Sequence, residues 1–154
     1  MFAAHKGRTD AARVLLEKGA KVNASETKGW TPLMFTAQGG HTDTARVLLA
    51  KGANPNAVEE DRWTALMIAA QRGYTDTARL LLEKGANVNA ANKNGVTALM
   101  IAAANDQADA VRLLLKKGAN VNAVDEDGES ALFAATKRGH SGIVKILRAA
   151  GAKK

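Results

Sequence analysis

The sequence lacks cysteine, has few aromatic residues and contains no long hydrophobic run. The absence of cysteine excludes disulfides, zinc–thiolate sites, iron–sulfur clusters and thiol nucleophiles. No stretch approaches the roughly 18 consecutive apolar residues of a membrane-spanning helix, and the first residues lack the apolar core of a signal peptide. With 46% hydrophobic and 24% charged residues in 154 positions, the composition is that of one globular domain. We therefore expect a soluble, cytoplasmic protein.

Acidic residues are missing from the last part of the chain. From Ser130 onward there are six basic residues and no acidic one: Lys137, Arg138, Lys145, Arg148, Lys153 and Lys154. The net charge of +7 therefore belongs mostly to this end, since the first 129 residues hold 16 basic and 15 acidic groups. A nucleic-acid-binding surface typically shows a broad basic stripe, whereas this segment is short and has only Phe133 as an aromatic residue. We favour a solvated basic cap, with weak polyanion binding as an alternative.

What the sequence does have is an internal repeat of 33 residues without insertion or deletion. Thr31-Pro32-Leu33-Met34 recurs with small changes at residues 64–67, 97–100 and 130–133. Glycine, asparagine and leucine columns keep the same step: Gly19, Gly52, Gly85, Gly118 and Gly151; Asn23, Asn56, Asn89 and Asn122; Leu48, Leu81 and Leu114. Such a period predicts stacked structural units that share one continuous core.

Each unit reads as two short helices followed by an extended loop. A first helix is predicted to begin near Pro32, because proline suits the first turn, and to end at Gly39-Gly40. A second helix is predicted over about Thr42 to Lys51, followed by a left-handed glycine at Gly52. No unit can bury its leucines alone, so the units must stack.

The pattern resembles the ankyrin repeat over essentially the whole chain. The segments that carry the resemblance are the Gly29–His41 stretch, GWTPLMFTAQGGH, and the Leu81–Ala90 stretch, LLEKGANVNA. The resemblance implies an all-α ankyrin-repeat solenoid of helix-turn-helix units with β-hairpin loops. We divide the single domain, 1–154, into a partial repeat at 1–24, full repeats at 25–57, 58–90 and 91–123, and a capping repeat at 124–154.

Several positions depart from the family pattern. Methionine or phenylalanine replaces the family's histidine after the leucine, so we expect apolar packing in place of its hydrogen bond. Arg62 stands where the hairpin normally has glycine, and Asn105-Asp106 replaces the inter-helix turn. Thr44-Ala45 and Thr77-Ala78 stand where the family prefers isoleucine and valine. We expect less burial in those units and local softness near residues 104–108.

The two ends of the chain differ. At the C-terminus, Arg148 replaces the stacking leucine column, which is how a solenoid ends in water. At the N-terminus, the chain begins inside a repeat without its hairpin, and Val14, Leu15 and Leu16 keep residue types that are normally buried. We expect an uncapped, adhesive N-terminal face that supports self-association.

Candidate chemistry is sparse. His41 and His140 occupy one column three repeats apart and cannot share a ligand, so we expect backbone hydrogen bonds there. The acidic hairpin runs at 59–61 and 125–127 lack the spacing of a calcium loop. We expect them to be solvated hairpin tips, with partner contact as the second interpretation. The asparagine column could be a recognition ladder, but we expect its amides to bond backbone groups of the loop and of the next repeat. Aspartate–arginine pairs at i, i+3 are expected to form surface ion pairs: Asp10/Arg13, Asp43/Arg46, Asp76/Arg79 and Asp109/Arg112.

We interpret the chain as a non-catalytic protein–protein interaction scaffold without a cofactor, a metal or specific nucleic-acid binding. By resemblance, the partner docks on the concave face formed by hairpins and first helices. The corresponding contact positions are Trp30, Phe35, Gln38, Trp63, Ile68, Gln71, Arg72, Val96, Ile101, Ala104, Glu129 and Lys137. Two alternatives stay open: an engineered or excised stable scaffold with no native partner, and a weak polyanion binder acting through the basic C-terminal cap.

Overall fold

A computed structural model describes residues 1–153, so Lys154 of the basic cap lies outside the described residues. Over this range the chain forms five consecutive pairs of α-helices and one 3₁₀ turn at Thr27–Gly29. The first helices of the pairs are α1 (Phe2–His5), α3 (Pro32–Gly39), α5 (Ala65–Arg72), α7 (Ala98–Ala104) and α9 (Ala131–Lys137). The second helices are α2 (Thr9–Glu17), α4 (Thr42–Ala50), α6 (Thr75–Glu83), α8 (Ala108–Lys116) and α10 (Ser141–Ala149).

The expected all-helical solenoid is confirmed. Each first helix packs against the first helix of the next pair, and each second helix packs against the next second helix. The hairpin loops contain only isolated antiparallel bridges, Ala91 with Thr97 and Val124 with Ser130, and no longer strand within residues 1–153. The proposed repeat boundaries lie in the loops between consecutive pairs.

The first helices begin where the repeated threonine caps them. The Thr31 hydroxyl accepts a hydrogen bond from the Met34 backbone N–H at 3.4 Å, and Pro32 occupies the first turn. The sulfur of Met34 accepts in return from the Thr31 backbone N–H at 3.5 Å, and Met100 does the same for Thr97 at 3.4 Å. Apolar packing alone was therefore an incomplete prediction for this column, because the thioether also serves as a weak acceptor.

The turn between the two helices of a pair needs a left-handed residue. Gly40 and Gly73 have φ values of 68° and 72°, and Asp106 adopts a φ of 55° at the same position of the fourth pair. The side chain that follows this turn in the next repeat packs over the glycine, since a Cβ on Gly40 would lie 2.7 Å from the Tyr74 ring. At Gly40 the close approach therefore leaves no room for a Cβ, in addition to the left-handed backbone that favours glycine.

The core is built from alanines and leucines of both helix rows. Leu48, Leu81 and Leu114 are buried, as are the small residues Ala37 and Ala70 between the first helices. Thr44 and Thr77 are also buried, and their hydroxyls pair with Thr9 at 2.8 Å and with Thr42 at 2.7 Å across neighbouring second helices. These threonines therefore join adjacent repeats through a polar contact that the sequence reading missed.

The asparagine column connects every repeat to the next, as predicted. Asn56 donates to the Gly85 carbonyl at 2.9 Å and accepts from the Asn87 backbone N–H at 2.8 Å. The same pair of hydrogen bonds recurs at Asn23, Asn89 and Asn122. Four equivalent side chains thus link successive loops along one edge of the solenoid.

The predicted i, i+3 ion pairs on the second helices are wrong. Among residues 1–153, the ion pairs within 4 Å are Lys93 with Asp61 and Lys137 with Glu129, and both belong to the hairpin side. The four aspartates of the predicted pairs lie in the first turn of their helices, where the helix dipole already favours a carboxylate. They therefore need no arginine partner to be accommodated.

The two ends of the solenoid differ as expected. Leu15 is 50% exposed, although the residues of its column in the next four repeats are buried, and Phe2 and Val14 are 65% and 48% exposed. At the other end Arg148 is exposed, where Leu49, Leu82 and Leu115 are half-buried in the earlier repeats. The N-terminal face is therefore apolar. The C-terminal face carries both the exposed Arg148 and Phe133, which is 46% exposed although Met34, Met67 and Met100 of its column are buried.

Candidate partner-binding groove

The hairpins are held by a polar side chain at their first position. The Glu59 carboxylate oxygen Oε1 accepts from the backbone N–H groups of Asp61 at 2.8 Å and Trp63 at 3.0 Å. Asn92 and Asp125 make the same two bonds in the next two hairpins. This arrangement fixes the residue at the base of each hairpin, which is the column of Trp63.

Neighbouring hairpins are also bonded to one another. The backbone N–H of Glu60 donates to the Lys28 carbonyl at 2.8 Å, and Lys93 and Glu126 donate to the carbonyls of Asp61 and Asn94 at 3.0 Å each. The row of hairpins is therefore one continuous wall. A side chain placed on it keeps a defined position relative to the first helices behind it.

A first cleft, of about 270 Å³, lies between the second and third repeats. Both tryptophans of the chain line it, and both are half-buried. Its remaining lining comes from the hairpin and from the ends of first helices: Gln38, Glu59, Asp61, Ile68, Gln71 and Arg72. We call this the tryptophan cleft.

A second cleft, of about 310 Å³, adjoins the first and shares Trp63 and Gln71 with it. Its floor and walls include Val96, Ile101 and Ala104. Its polar lining joins two carboxylates with two cations: Asp125, Glu129, Lys137 and Arg138. Because Lys137 Nζ lies 3.1 Å from Glu129 Oε1, part of this charge is already paired.

The structure brings most of the predicted contact positions together in these two clefts. Phe35 is the exception, because it lines neither cleft and packs instead against Trp30 at 5.2 Å and His5 at 5.6 Å between ring centroids. Ile68 and Ile101 are only 4% and 6% exposed, so they form the floor and offer little surface. The groove presents mainly the hairpin-base column and the polar ends of the first helices.

Sequence reasoning included Glu129 but omitted the other carboxylates of the groove. Glu59, Asp61 and Asp125 line the clefts, as do Asn105 and Arg138, although none was among the predicted contact positions. A signal was present, because Glu59 and Asp125 share one column of the period with Asn92. The acidic runs were interpreted first as solvated tips and only second as partner contacts, whereas Glu59, Asp61 and Asp125 line the clefts.

Other candidate chemistry is structural or missing. His41 Nε2 lies 3.2 Å from the His5 carbonyl, and His140 Nδ1 lies 3.0 Å from that of Ala103, as expected for turn histidines. Within the part of the chain that the structure describes, no three histidine, aspartate or glutamate residues are grouped as metal ligands. No helix of residues 1–153 combines the length and the apolar character needed to cross a membrane.

Comparison with known proteins gives one family. The family model described as Ankyrin repeats (3 copies) matches residues 1–92 and 85–154, which together span the chain. No curated protein matches the sequence.

Proposed function

The chain belongs to the ankyrin repeat family, and from this membership we propose that it is a non-catalytic scaffold whose groove of hairpins and first helices binds a partner protein. Ankyrin repeats are generally protein–protein interaction modules, and the family is typically non-catalytic. The groove is where the structure combines adjoining clefts, aromatic surface and unpaired polar groups.

The observation that carries the proposal is the placement of Trp30 and Trp63. They are the only tryptophans, they occupy one column of adjacent repeats, and both line the same cleft while remaining half-buried. Tryptophan is enriched among residues that dominate binding energy, because it offers a large rigid surface with little entropy to lose. Stacking of Trp63 on Arg62 is not seen, since the cation–π contacts of residues 1–153 involve Phe2 and Phe133 instead. Both rings also pack against the core, so the test must separate binding from folding.

Valine is the substitution that separates binding from folding. Val96 holds the same column in the fourth repeat, at the base of a hairpin with the same backbone hydrogen bonds. We expect Trp30→Val/Trp63→Val to leave the thermal midpoint nearly unchanged. Affinity for a partner captured with the full chain should fall by about 2 kcal/mol, roughly thirtyfold.

The measurement is isothermal calorimetry of that partner with the wild type, the double valine variant and Trp30→Phe/Trp63→Phe. Phenylalanine should recover part of the affinity if aromatic surface makes the contact. Unchanged affinity in the valine variant overturns the proposal. A melt that drops by many degrees together with weaker binding also overturns it, because the rings would then be structural.

A second candidate function is weak polyanion binding. It is favoured by the basic residues of the last repeat, of which Lys137 and Arg138 line the second cleft and Lys145 and Arg148 are exposed. This candidate requires heparin binding that falls steeply with salt and survives the double valine substitution.

A further inference from the structure

We propose that the tryptophan cleft receives a cationic side chain, an arginine or a lysine, from an extended segment of the partner. This proposal rests on the proposed function and adds the chemistry of the partner. Three properties of the cleft carry it: its aromatic surface, its carboxylates and its size.

The aromatic surface is available to a cation from outside. An indole face attracts a cation more strongly than the other aromatic rings do, with the charge within about 6 Å of the ring centroid. The cation–π contacts that the chain makes within residues 1–153 are Arg8 on Phe2 at 5.5 Å and Lys137 on Phe133 at 5.3 Å. Trp30 and Trp63 line the cleft, and no cation among the described residues lies over either ring.

The carboxylates of the cleft have acceptor capacity to spare. Glu59 uses Oε1 for the two hairpin N–H groups and Asp61 uses Oδ1 for Lys93 at 3.4 Å, so each retains a second oxygen. The ion pair of Asp61 is exposed, with 69% of the aspartate side chain accessible, and is therefore weak. Carboxylates beside aromatic faces provide charge-assisted hydrogen bonds to the same cation that the rings attract.

The charge of the tryptophan cleft differs from that of the chain as a whole. Glu59 and Asp61 outnumber the single cation Arg72, whereas the protein carries a net charge of +7. The second cleft has two carboxylates and two cations, and an internal ion pair between Lys137 and Glu129. Charge complementarity therefore favours a bound cation in the tryptophan cleft but not in the second cleft.

The size of the cleft fits one side chain. Its volume of about 270 Å³ lies just under the range of roughly 300–1,000 Å³ that small-molecule sites occupy. The cleft also adjoins the second cleft, since Trp63 and Gln71 line both. An extended segment can therefore lie along the groove and insert one long side chain between the hairpin wall and the first helices.

The chain itself supplies a charge-neutral version of this hairpin. Asn92 and Asn94 stand 33 residues after Glu59 and Asp61, and Asn92 makes the same two backbone hydrogen bonds. The variant Glu59→Asn/Asp61→Asn should therefore keep the hairpin and remove its charge. The matched control is Glu17→Gln/Glu83→Gln, which changes the net charge equally at exposed positions on second helices, outside both clefts.

The experiment follows the two indole N–H resonances of the ¹⁵N-labelled full chain by NMR. The probes are blocked peptides of alanine and serine with one central arginine, lysine, glutamine or glutamate. We expect saturable shifts of both indole signals with the arginine and lysine peptides. Binding should be about fivefold or more weaker with glutamine, and weaker by a similar factor in the double asparagine variant. The glutamine control variant should bind as the wild type does.

Three results of the peptide titration overturn the proposal: equal binding of the glutamine peptide, stronger binding of the glutamate peptide, or unchanged binding by the asparagine variant. Stronger binding of the glutamate peptide would indicate that Arg72 attracts an acidic side chain into the cleft. If a partner's binding needs the tryptophans but tolerates Glu59→Asn/Asp61→Asn, the proposed cationic side chain is wrong and the scaffold function still holds. Loss of tryptophan dependence would overturn the scaffold function itself.

Discussion

Arg62 shows how one residue can depart from the repeat without changing the hairpin. Its φ of 63° is left-handed, and the same position in the other complete hairpins holds Gly29, Gly95 and Gly128 with φ between 76° and 82°. A residue with a Cβ is strained in this region, whereas glycine is not. The hydrogen bonds of Glu59 on either side keep the turn in place despite the strain.

Arg62→Gly should therefore stabilise the protein. The relief of left-handed strain outweighs the greater freedom of glycine in the unfolded chain, for a net gain of about 0.5–1 kcal/mol in the free energy of unfolding. Urea denaturation followed by circular dichroism measures the change. Arg62→Ala is the control and should show no gain, because alanine keeps the Cβ. Equal stabilisation by both variants would assign the effect to the lost arginine charge.

At the scale of the helices and loops, the asparagine column links one repeat to the next. Asn56 loses both inter-repeat hydrogen bonds, to Gly85 and from Asn87, when it is replaced by alanine. We expect Asn56→Ala to reduce the free energy of unfolding by about 1–2 kcal/mol, since these bonds are exposed and water replaces them in part. Amide hydrogen exchange at Asn87 should accelerate at the same time.

The control for this variant is Asn94→Ala, because the Asn94 side chain is exposed and makes no hydrogen bond within residues 1–153. It should cost less than about 0.5 kcal/mol. Exchange that accelerates equally throughout the third and fourth repeats in both variants would contradict a local link at Asn56.

Helix bounds and inter-repeat links could be predicted from the sequence where the residues at one repeated position determine them. Pro32 and the glycines at 39 and 40 set the bounds of α3 locally, and the asparagine column implied its own partners because each lies about one period away. The threonine pairs were missed because Thr44 was considered only for its burial. Its hydroxyl partner, Thr9, lies 35 residues earlier in the neighbouring repeat, and the repeat spacing was not used to look for it. The prediction of i, i+3 ion pairs was wrong because this spacing brings two exposed side chains near each other without fixing their rotamers.

The groove was predictable to a lesser extent. The family resemblance gave the hairpin-base and first-helix positions, and all of them but Phe35 line one of the two clefts. It said nothing of Glu59 or Asp61, since the direction of a hairpin carboxylate depends on the bonds that Glu59 makes to its own turn. Whether these residues bind a partner stays a prediction.

At the scale of the whole molecule, the two end faces are unequal. Phe2, Val14 and Leu15 are exposed at one end. At the other end Arg148 is exposed, and so are Phe133 and Lys137, whose ammonium lies over the Phe133 ring. Joining one end to the other would bury cations against apolar surface at a high cost. Joining two apolar ends by a two-fold axis buries apolar surface on both copies.

We therefore predict weak self-association through the first repeat. Sedimentation of the full chain should show a dimer that grows with concentration, and Leu15→Glu should weaken it about tenfold or more. The matched control is Val124→Glu, which introduces the same charge at a 57% exposed position of the last hairpin. A wild type that stays monomeric at millimolar concentration, or equal weakening by both variants, would refute the two-fold contact.

The 33-residue period is unbroken, and the asparagine hydrogen bonds join each repeat to the next. The fold therefore does not depend on the number of repeats. If residues 58–90 were excised in frame, Ala57 would be followed by Ala91, and Asn56 would find the groups of Gly118 and Asn120 where those of Gly85 and Asn87 had been. Every surviving unit would meet a neighbour of the kind it already has. The groove would not survive so simply, because the removed segment contains Glu59, Asp61 and Trp63. The solenoid can therefore be shortened or extended by whole repeats, whereas these three proposed recognition residues belong to one particular repeat.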